Sequence, residues 1–453
     1  MTQTTLLRPA SGVPDDSSAS PPPVTSGRAS RLVGVDATRG IALLGMIAVH
    51  SLYVSDVAGQ PTWSYMIFGG RASAGFAVLA GVGIAFMTGR KRVELANGRA
   101  TAATLGVRAL IIAVIGVALA YTDASYGMVI LPYYAAMFVL AIPLVLLPTW
   151  AVGAVGVATA AGMPVLTHLL LPHLTAPMSV NLSLGHFVDR PVDTITELLI
   201  TGQYPALPWM AYLCVGLVIG RLALTAMRVV IGLLATGILL GAAAPVASWL
   251  LLQRFGGLAQ IHAAQPESGL SVAETDQLLT FGGAGTTPTS TWWWLAVDAP
   301  HTNTPPDLFG TTGVVIALLG LMLLVGHLTR PVLRGMVAVV QVPLAAAGSM
   351  PLTLYTAHIV FINSEHDTYS AEKGFLLQVL AMLLVGLAWR ATAGRGPLEG
   401  LTAMLIAKAR RWAPTVQHRP RSEPPATRIR QTMQGSRDAG DEVPEPAGSV
   451  TGS

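Results

Sequence analysis

The sequence predicts an all-α fold: a polytopic transmembrane helix bundle of about ten spanning helices with both termini cytoplasmic. Three observations carry that expectation. Of 453 residues, 52% are hydrophobic and 11% charged, with a mean hydropathy of +0.58, whereas a soluble chain carries about a quarter charged residues. The apolar residues come in blocks of roughly 20, the length that crosses a bilayer. Lys and Arg gather in alternate connections between those blocks, as membrane topology requires.

The elements follow in order. Residues 1–30, with "DDSSASPPPVTSG", form a polar, Pro/Ser-rich tail without the apolar core of a cleavable signal peptide. Five spans are predicted at 32–54, 72–88, 103–121, 127–147 and 150–171. A polar connection, 172–204, precedes spans at 205–222 and 229–251, and a second, 252–309, precedes spans at 310–328, 337–361 and 374–391. Residues 31–402 thus form one membrane domain. "RGPLEGLTAMLIAKARRW" is weakly amphipathic and suits the membrane surface, so residues 403–453 read as a surface helix and a disordered tail.

With a cytoplasmic N-terminus, "GRKRVELANGR", "GRLALTAMR", "HLTRPVLRG" and "WRATAGRG" are inner loops, and 13 of the 23 acidic residues fall in outer loops against about four basic ones. That asymmetry sets the orientation and places the chain in the cell membrane. It also accounts for the net charge of +4, so no nucleic-acid partner is implied. The single cysteine, Cys214, excludes a disulfide framework. No internal repeat, phosphate-cradling glycine loop or hydrolase nucleophile elbow occurs in the sequence.

The first span, "VDATRGIALLGMIAVHSLY", carries Asp36, Arg39 and His50. At 100° per residue these fall within about a 60° arc, with Arg39 and His50 about 16 Å apart along the axis. Ionisable groups in membrane helices are costly and usually face a cavity or another helix. Asp36 and Arg39 would equally serve as a headgroup-level ion pair, and His50 as an interhelical hydrogen bond. Gly34, Gly40 and Gly45 would admit close neighbours.

Arg, ten residues and then His on the first helix resembles the signature of membrane acyltransferases of the acyltransferase-3 type. A longer series of segments is similar to bacterial membrane proteins related to heparan-α-glucosaminide N-acetyltransferase: "RLVGVDATRGIALLGMIAVH", "GRASAGFAVLAGVGIAFMTGR", "GQYPALPWMAYLCVGLVIGRL", "PHTNTPPDLFGTTGVVIALLG", "AAAGSMPLTLYTAHIV" and "GRGPLEGL". They cover about residues 31–402 in order. The resemblance implies a helix bundle that moves an acyl group, commonly acetyl, from cytoplasmic acyl-CoA to an acceptor across the membrane. The animal enzyme has Asn at the position matching His50, and this chain has no histidine between His50 and His168. The catalytic role therefore passes to His50 through the acyltransferase-3 pattern.

Other candidates stand beside it. His358, in "SMPLTLYTAHI", falls near the outer depth of His50 and is a second catalytic candidate or an interhelical hydrogen bond. Ser349, Thr353 and Tyr355 in the same segment read as packing residues. Arg39 and Asp36 are the donor-binding candidates. Arg71 opens the second span, Trp209 enters the sixth in "GQYPALPWM", and Asp298 and His301 follow three tryptophans in "WWWLAVDAPHTNTPPD". These four are the acceptor-binding candidates, since aromatic faces beside acids and amides suit a sugar; a membrane-surface belt explains the tryptophans equally well. "NSEHDTY" reads as a solvated loop rather than a metal site, and no metal is expected.

Two functions of different class follow. The preferred one is a membrane O- or N-acyltransferase with acetyl-CoA as donor and an envelope glycan or glycolipid as acceptor, embedded in the lipid bilayer and compatible with a homodimer. The alternative is a transporter or exporter in which the same polar face lines a solute path.

Overall fold

The computed structural model describes residues 32–178 and 180–412. The predicted tails at 1–30 and 413–453 lie outside the described residues. In chain order the α-helices are α1 (Val33–Ser51), α2 (Trp63–Phe68), α3 (Arg71–Met87), α4 (Leu95–Leu119), α5 (Leu131–Leu144), α6 (Thr149–Leu170), α7 (Leu184–Asp189), α8 (Pro191–Thr196) and α9 (Ala206–Arg221). They continue with α10 (Met227–Trp249), α11 (Gly257–Ala263), α12 (Gln265–Ser268), α13 (Val272–Phe281), α14 (Pro305–Val325), α15 (Pro331–Ala347), α16 (Pro351–Ile362), α17 (Ala371–Thr392) and α18 (Pro397–Trp412). No strand occurs among the described residues beyond one isolated bridge between Ser55 and Pro61.

Seven helical stretches are long and apolar enough to cross a membrane: Val33–Ser51, Trp63–Met87, Leu95–Leu119, Thr149–His173, Met227–Arg254, Pro305–Val325 and Ala371–Thr392. Counting the bent pair α15–α16 as one span makes eight, and α5 and α9 are shorter apolar helices. The chain is a multi-pass, all-helical membrane protein. The main departure from the predicted spans is at 337–361, where the helix breaks by 76°. Pro351 stands at the start of α16 and forces Met350 out of helical geometry (φ −136°, ψ 51°). The N–H groups exposed by the break are taken up by α18. Glu399 accepts from the backbone N–H of Leu352 at 2.8 Å, that of Thr353 at 3.2 Å, and the Thr353 hydroxyl at 2.6 Å. A freed helix end inside a membrane needs such a partner.

α1 is the central helix and packs against α3, α14, α15, α16 and α17. Lipid chains are as apolar as leucine, so close backbone approach rather than burial of greasy surface holds such helices together. Gly40 shows this: a Cβ there would collide with the Leu344 carbonyl of α15. By contrast α4, α10 and α17 turn leucine, isoleucine and valine outward, including Leu110, Val114, Ile238, Leu239, Leu380 and Leu384. The two polar connections are folded rather than loose. Residues 172–204 hold α7, α8 and a π-helical turn at Glu197–Thr201, and residues 252–309 hold α11–α13 and a 3-10 turn at Trp292–Ala296.

Candidate functional site

Two ends of α1 carry the ionisable groups predicted for it. At the C-terminal end, the break in α15–α16 aims α16 so that His358 meets His50. His50 Nδ1 lies 3.0 Å from His358 Nε2, and the rings are parallel within 1°. His358 is 1% exposed, and its Nδ1 lies 2.6 Å from Gln378 Oε1 on α17. The Gln378 amide nitrogen donates to the Ser51 hydroxyl at 3.2 Å.

The chain of contacts sets the protons. An amide oxygen can only accept, so His358 Nδ1 donates to Gln378. A neutral His358 then presents the lone pair of Nε2, which accepts from His50 Nδ1–H, leaving the lone pair of a neutral His50 on Nε2. That nitrogen faces the 120–130 segment: a Cβ on Gly127 would stand 2.8 Å from it. Only a residue without a side chain allows the segment to rest there.

At the N-terminal end, Arg39 donates to Asp36 at 2.9 Å and to the Leu79 carbonyl of α3 at 3.2 Å. Arg108 of α4 is held at the same end of the bundle. Its guanidinium sits 5.1 Å from the centroid of the Phe138 ring, and its Nε is buried without a hydrogen-bond partner. One turn away, Thr104 accepts from Arg410 of α18 at 3.1 Å. Three guanidinium groups and the Asp36 and Glu399 carboxylates thus gather at this end, with Glu399 committed to the α16 backbone.

The four acceptor candidates divide. Trp209 is a correction to the interfacial role predicted for it: it is 2% exposed and its indole donates to Asn303 Oδ1 at 2.8 Å. It packs parallel to His301, with centroids 6.3 Å apart, and edge-on to Tyr204. Its indole is enclosed between Asn303 and His301. His301 and Asn303 both adopt left-handed backbone angles, φ 59° and 52°, a conformation that other contacts must hold in place. Asn303 does this, accepting from Trp209 and donating its amide to the Gly285 carbonyl at 2.7 Å and its backbone N–H to Asp307 at 3.0 Å.

Burial pushes His301 down to about 4, and its Nδ1 is enclosed without a partner. Burial also raises Asp298 above the usual carboxylate range, partly offset by Arg71. Arg71 caps the preceding helix, donating to the carbonyls of Met66 and Ile67. The tryptophan triplet splits: Trp294 is in the core of the 252–309 region, while Trp292 is exposed against His168.

Residues the sequence reading passed over are Gln378, Arg108, Glu197 and Asn303. A glutamine and an arginine inside apolar helices were the available signals for the first two; the others sit in loops, where polar residues attract no notice. Among the described residues no group of three His, Cys, Asp or Glu comes together to hold a metal ion.

Residues 31–243 match the family described as heparan-alpha-glucosaminide N-acetyltransferase, catalytic, and the chain is related to that family over this stretch. The match contains Arg39, His50, Arg71, Arg108 and Trp209; Asp298, His301, His358 and Gln378 lie beyond it. No curated protein matches the chain.

Proposed function

We propose, from that relation to an acetyltransferase family, that the chain transfers an acetyl group from acetyl-CoA, bound at the Arg39 end, to an amine or hydroxyl of an envelope glycan or glycolipid at the His50 end. The observation that carries the reading is the Ser51–Gln378–His358–His50 chain, which leaves a lone pair on His50 Nε2 at the end of α1 opposite the arginines.

In this reading Arg39 and Arg108 bind donor phosphate, with Asp36 fixing the Arg39 guanidinium. The thioester reaches along α1 toward His50. His50 Nε2 takes the proton of the acceptor N–H or O–H as its lone pair attacks the thioester carbonyl carbon. The new C–N or C–O bond forms, the C–S bond breaks, and the CoA thiolate leaves and takes up a proton. His358 and Gln378 hold the imidazole in the required tautomer. His301, Asp298 and Arg71 border the acceptor. The reading takes the N-terminus as cytoplasmic, from the placement of Lys and Arg, which puts the donor on the side where CoA is found and the acceptor outside.

Purified protein in liposomes, given labelled acetyl-CoA and an envelope-glycan extract, tests this. Label reaches the glycan with wild type and falls by about 100-fold or more with His50→Ala. Full transfer by His50→Ala, in protein that still inserts, removes His50 from the mechanism.

A solute transporter is the second reading, and the 76° break between α15 and α16 is what favours it, because broken helices line substrate sites in carriers. Solute flux into vesicles without acyl-CoA would support it over transfer.

A further inference from the structure

α18 is fastened to the bundle on one side and bare on the other. At 100° per residue, Glu399 and Arg410 share one azimuth within about 20° and stand about 16 Å apart along the axis. Both are anchors. Glu399 takes up the N–H groups of Leu352 and Thr353 at the break before α16, and Arg410 donates to the Thr104 hydroxyl of α4 at 3.1 Å. Thr402, between them, is buried. The approach to the break is close: the Leu398 N–H donates to the Thr353 hydroxyl at 3.1 Å, and a Cβ on Gly396 would stand 2.6 Å from Met350 Cβ. α18 thus bridges α16 and α4 at the Arg39 end of the bundle.

The opposite face is built differently. Leu401, Met404, Leu405 and Lys408 fall within about a 100° arc centred opposite the two anchors, and all four are exposed. Arg411 is exposed beside them. Apolar residues occupy the first part of this face and cations its last turn. Neither Lys408 nor Arg411 joins an ion pair among the described residues.

Exposed leucine and methionine at the end of a membrane bundle are shielded from water when their face meets the bilayer. An amphipathic helix does this with its apolar residues at the acyl boundary and its cations among the headgroups. Charge selects the lipid: unpaired Lys and Arg at a membrane surface favour an anionic headgroup over a zwitterionic one. The face is therefore complementary to the leaflet that borders it.

We propose that the exposed face of α18 docks on anionic phospholipid headgroups of the adjoining leaflet, and that this docking holds Glu399 on the break that aims His358 at His50. The link is mechanical. Lifting α18 off the membrane pulls Glu399 away from N–H groups in the first turn of α16, where the helix itself supplies no partner. α16 then loses its cap and its direction. The docking face uses none of the groups assigned to acetyl transfer, so it stands whether or not that transfer takes place.

The test uses the full-length protein with Met404→Cys carrying a nitroxide, Cys214 being buried, in vesicles of phosphatidylcholine alone or mixed with phosphatidylglycerol. In the mixed vesicles the label is expected to collide with oxygen rather than with a water-soluble nickel chelate. Hydrogen exchange at the Leu352 and Thr353 amides, read on protein without the label, is expected to be slower there than in phosphatidylcholine by about tenfold or more, and Lys408→Gln with Arg411→Gln is expected to abolish the difference. A label open to the nickel chelate in the mixed vesicles overturns the docking. Strong coupling between labels on two molecules overturns it in favour of a second copy on this face. Equal exchange in the two lipids overturns the hold on the break, and a lipid difference that survives the double substitution overturns Lys408 and Arg411 as the groups that carry it.

Discussion

His50 and His358 lie 308 residues apart in the chain and 3.0 Å apart in space, with Nδ1 of the first facing Nε2 of the second. Two imidazoles in series do what one cannot: the outer ring is oriented by the inner one, which is oriented by an amide. The inner residue is enclosed and the outer one is less buried, so the free lone pair lies on the less buried residue of the series.

Gln378 acts through His358 and is a positioning residue. Gln378→Leu removes the acceptor for His358 Nδ1–H and frees both rings to take either tautomer. The expected result is a kcat lower by about 10–100-fold, part of the 10²–10⁴-fold that general-base catalysis supplies, with the KM for acetyl-CoA unchanged. Gln378→Glu keeps an acceptor oxygen in the same place and is expected to restore most of the rate. Equal damage from both substitutions would mean that the residue only fills space.

Arg108 is expected to act on the donor alone. Arg108→Leu removes a cation from the arginine group at the Arg39 end, together with its guanidinium contact with the Phe138 ring. The KM for acetyl-CoA should rise by about tenfold or more, roughly one charge-assisted hydrogen bond, while kcat at saturation is retained. Inhibition of wild type by raised salt should also weaken in the variant, because the lost interaction is one that salt screens. An unchanged KM would take Arg108 out of the donor site.

His301 gives the outer region a pH dependence with a definite sign. Its folded value is about 4, below the 6.5 of an exposed histidine, so between those values the unfolded chain binds a proton that the folded chain does not. Stability therefore falls as pH drops from about 6.5 toward 4 and levels off below that. The residue is not fully enclosed, which trims the loss to about 1–3 kcal/mol. Thermal unfolding in detergent between pH 7 and pH 4.5 should show a falling midpoint, and His301→Asn, which tolerates the left-handed backbone, should flatten it. A midpoint with the same slope in both proteins would rule out His301 as its source.

Much of the membrane domain was legible because bilayer crossing depends on local composition: each block of apolar residues states its own length. The depth of His50 and His358 could be read the same way, by counting residues along a helix. Their contact could not. It depends on the 76° break at Met350–Pro351 and on Glu399 arriving from α18 to cap it, which are long-range facts. Trp209 failed for a related reason. A tryptophan near a predicted interface resembles a belt residue, and only the fold of residues 252–309 shows that Asn303 buries it. Gln378 was visible as a polar residue in an apolar helix, yet its partner, rather than its presence, gives it meaning.

Gly127 provides the sharpest test of where the chemistry happens. A Cβ at this position would stand 2.8 Å from His50 Nε2, 2.9 Å from Cδ2 and 3.0 Å from Cε1, the first two closer than real Cβ atoms come to such neighbours. Gly127→Ala must therefore displace either the segment or the imidazole. The imidazole is held from its far side by His358, so the side chain can yield only by breaking the 3.0 Å contact. The segment is pinned by Asn181 at Val129 and Thr122, so it resists as well. The cost falls on the one atom the mechanism needs, and activity should fall by about 10²-fold, toward that of His50→Ala. Stability should change by no more than about 1–3 kcal/mol, the range for a crowded small-to-large change. Binding of acetyl-CoA, some 16 Å away along α1 at its phosphate end, should be unaltered. A fully active Gly127→Ala protein would place the reacting proton somewhere other than His50 Nε2.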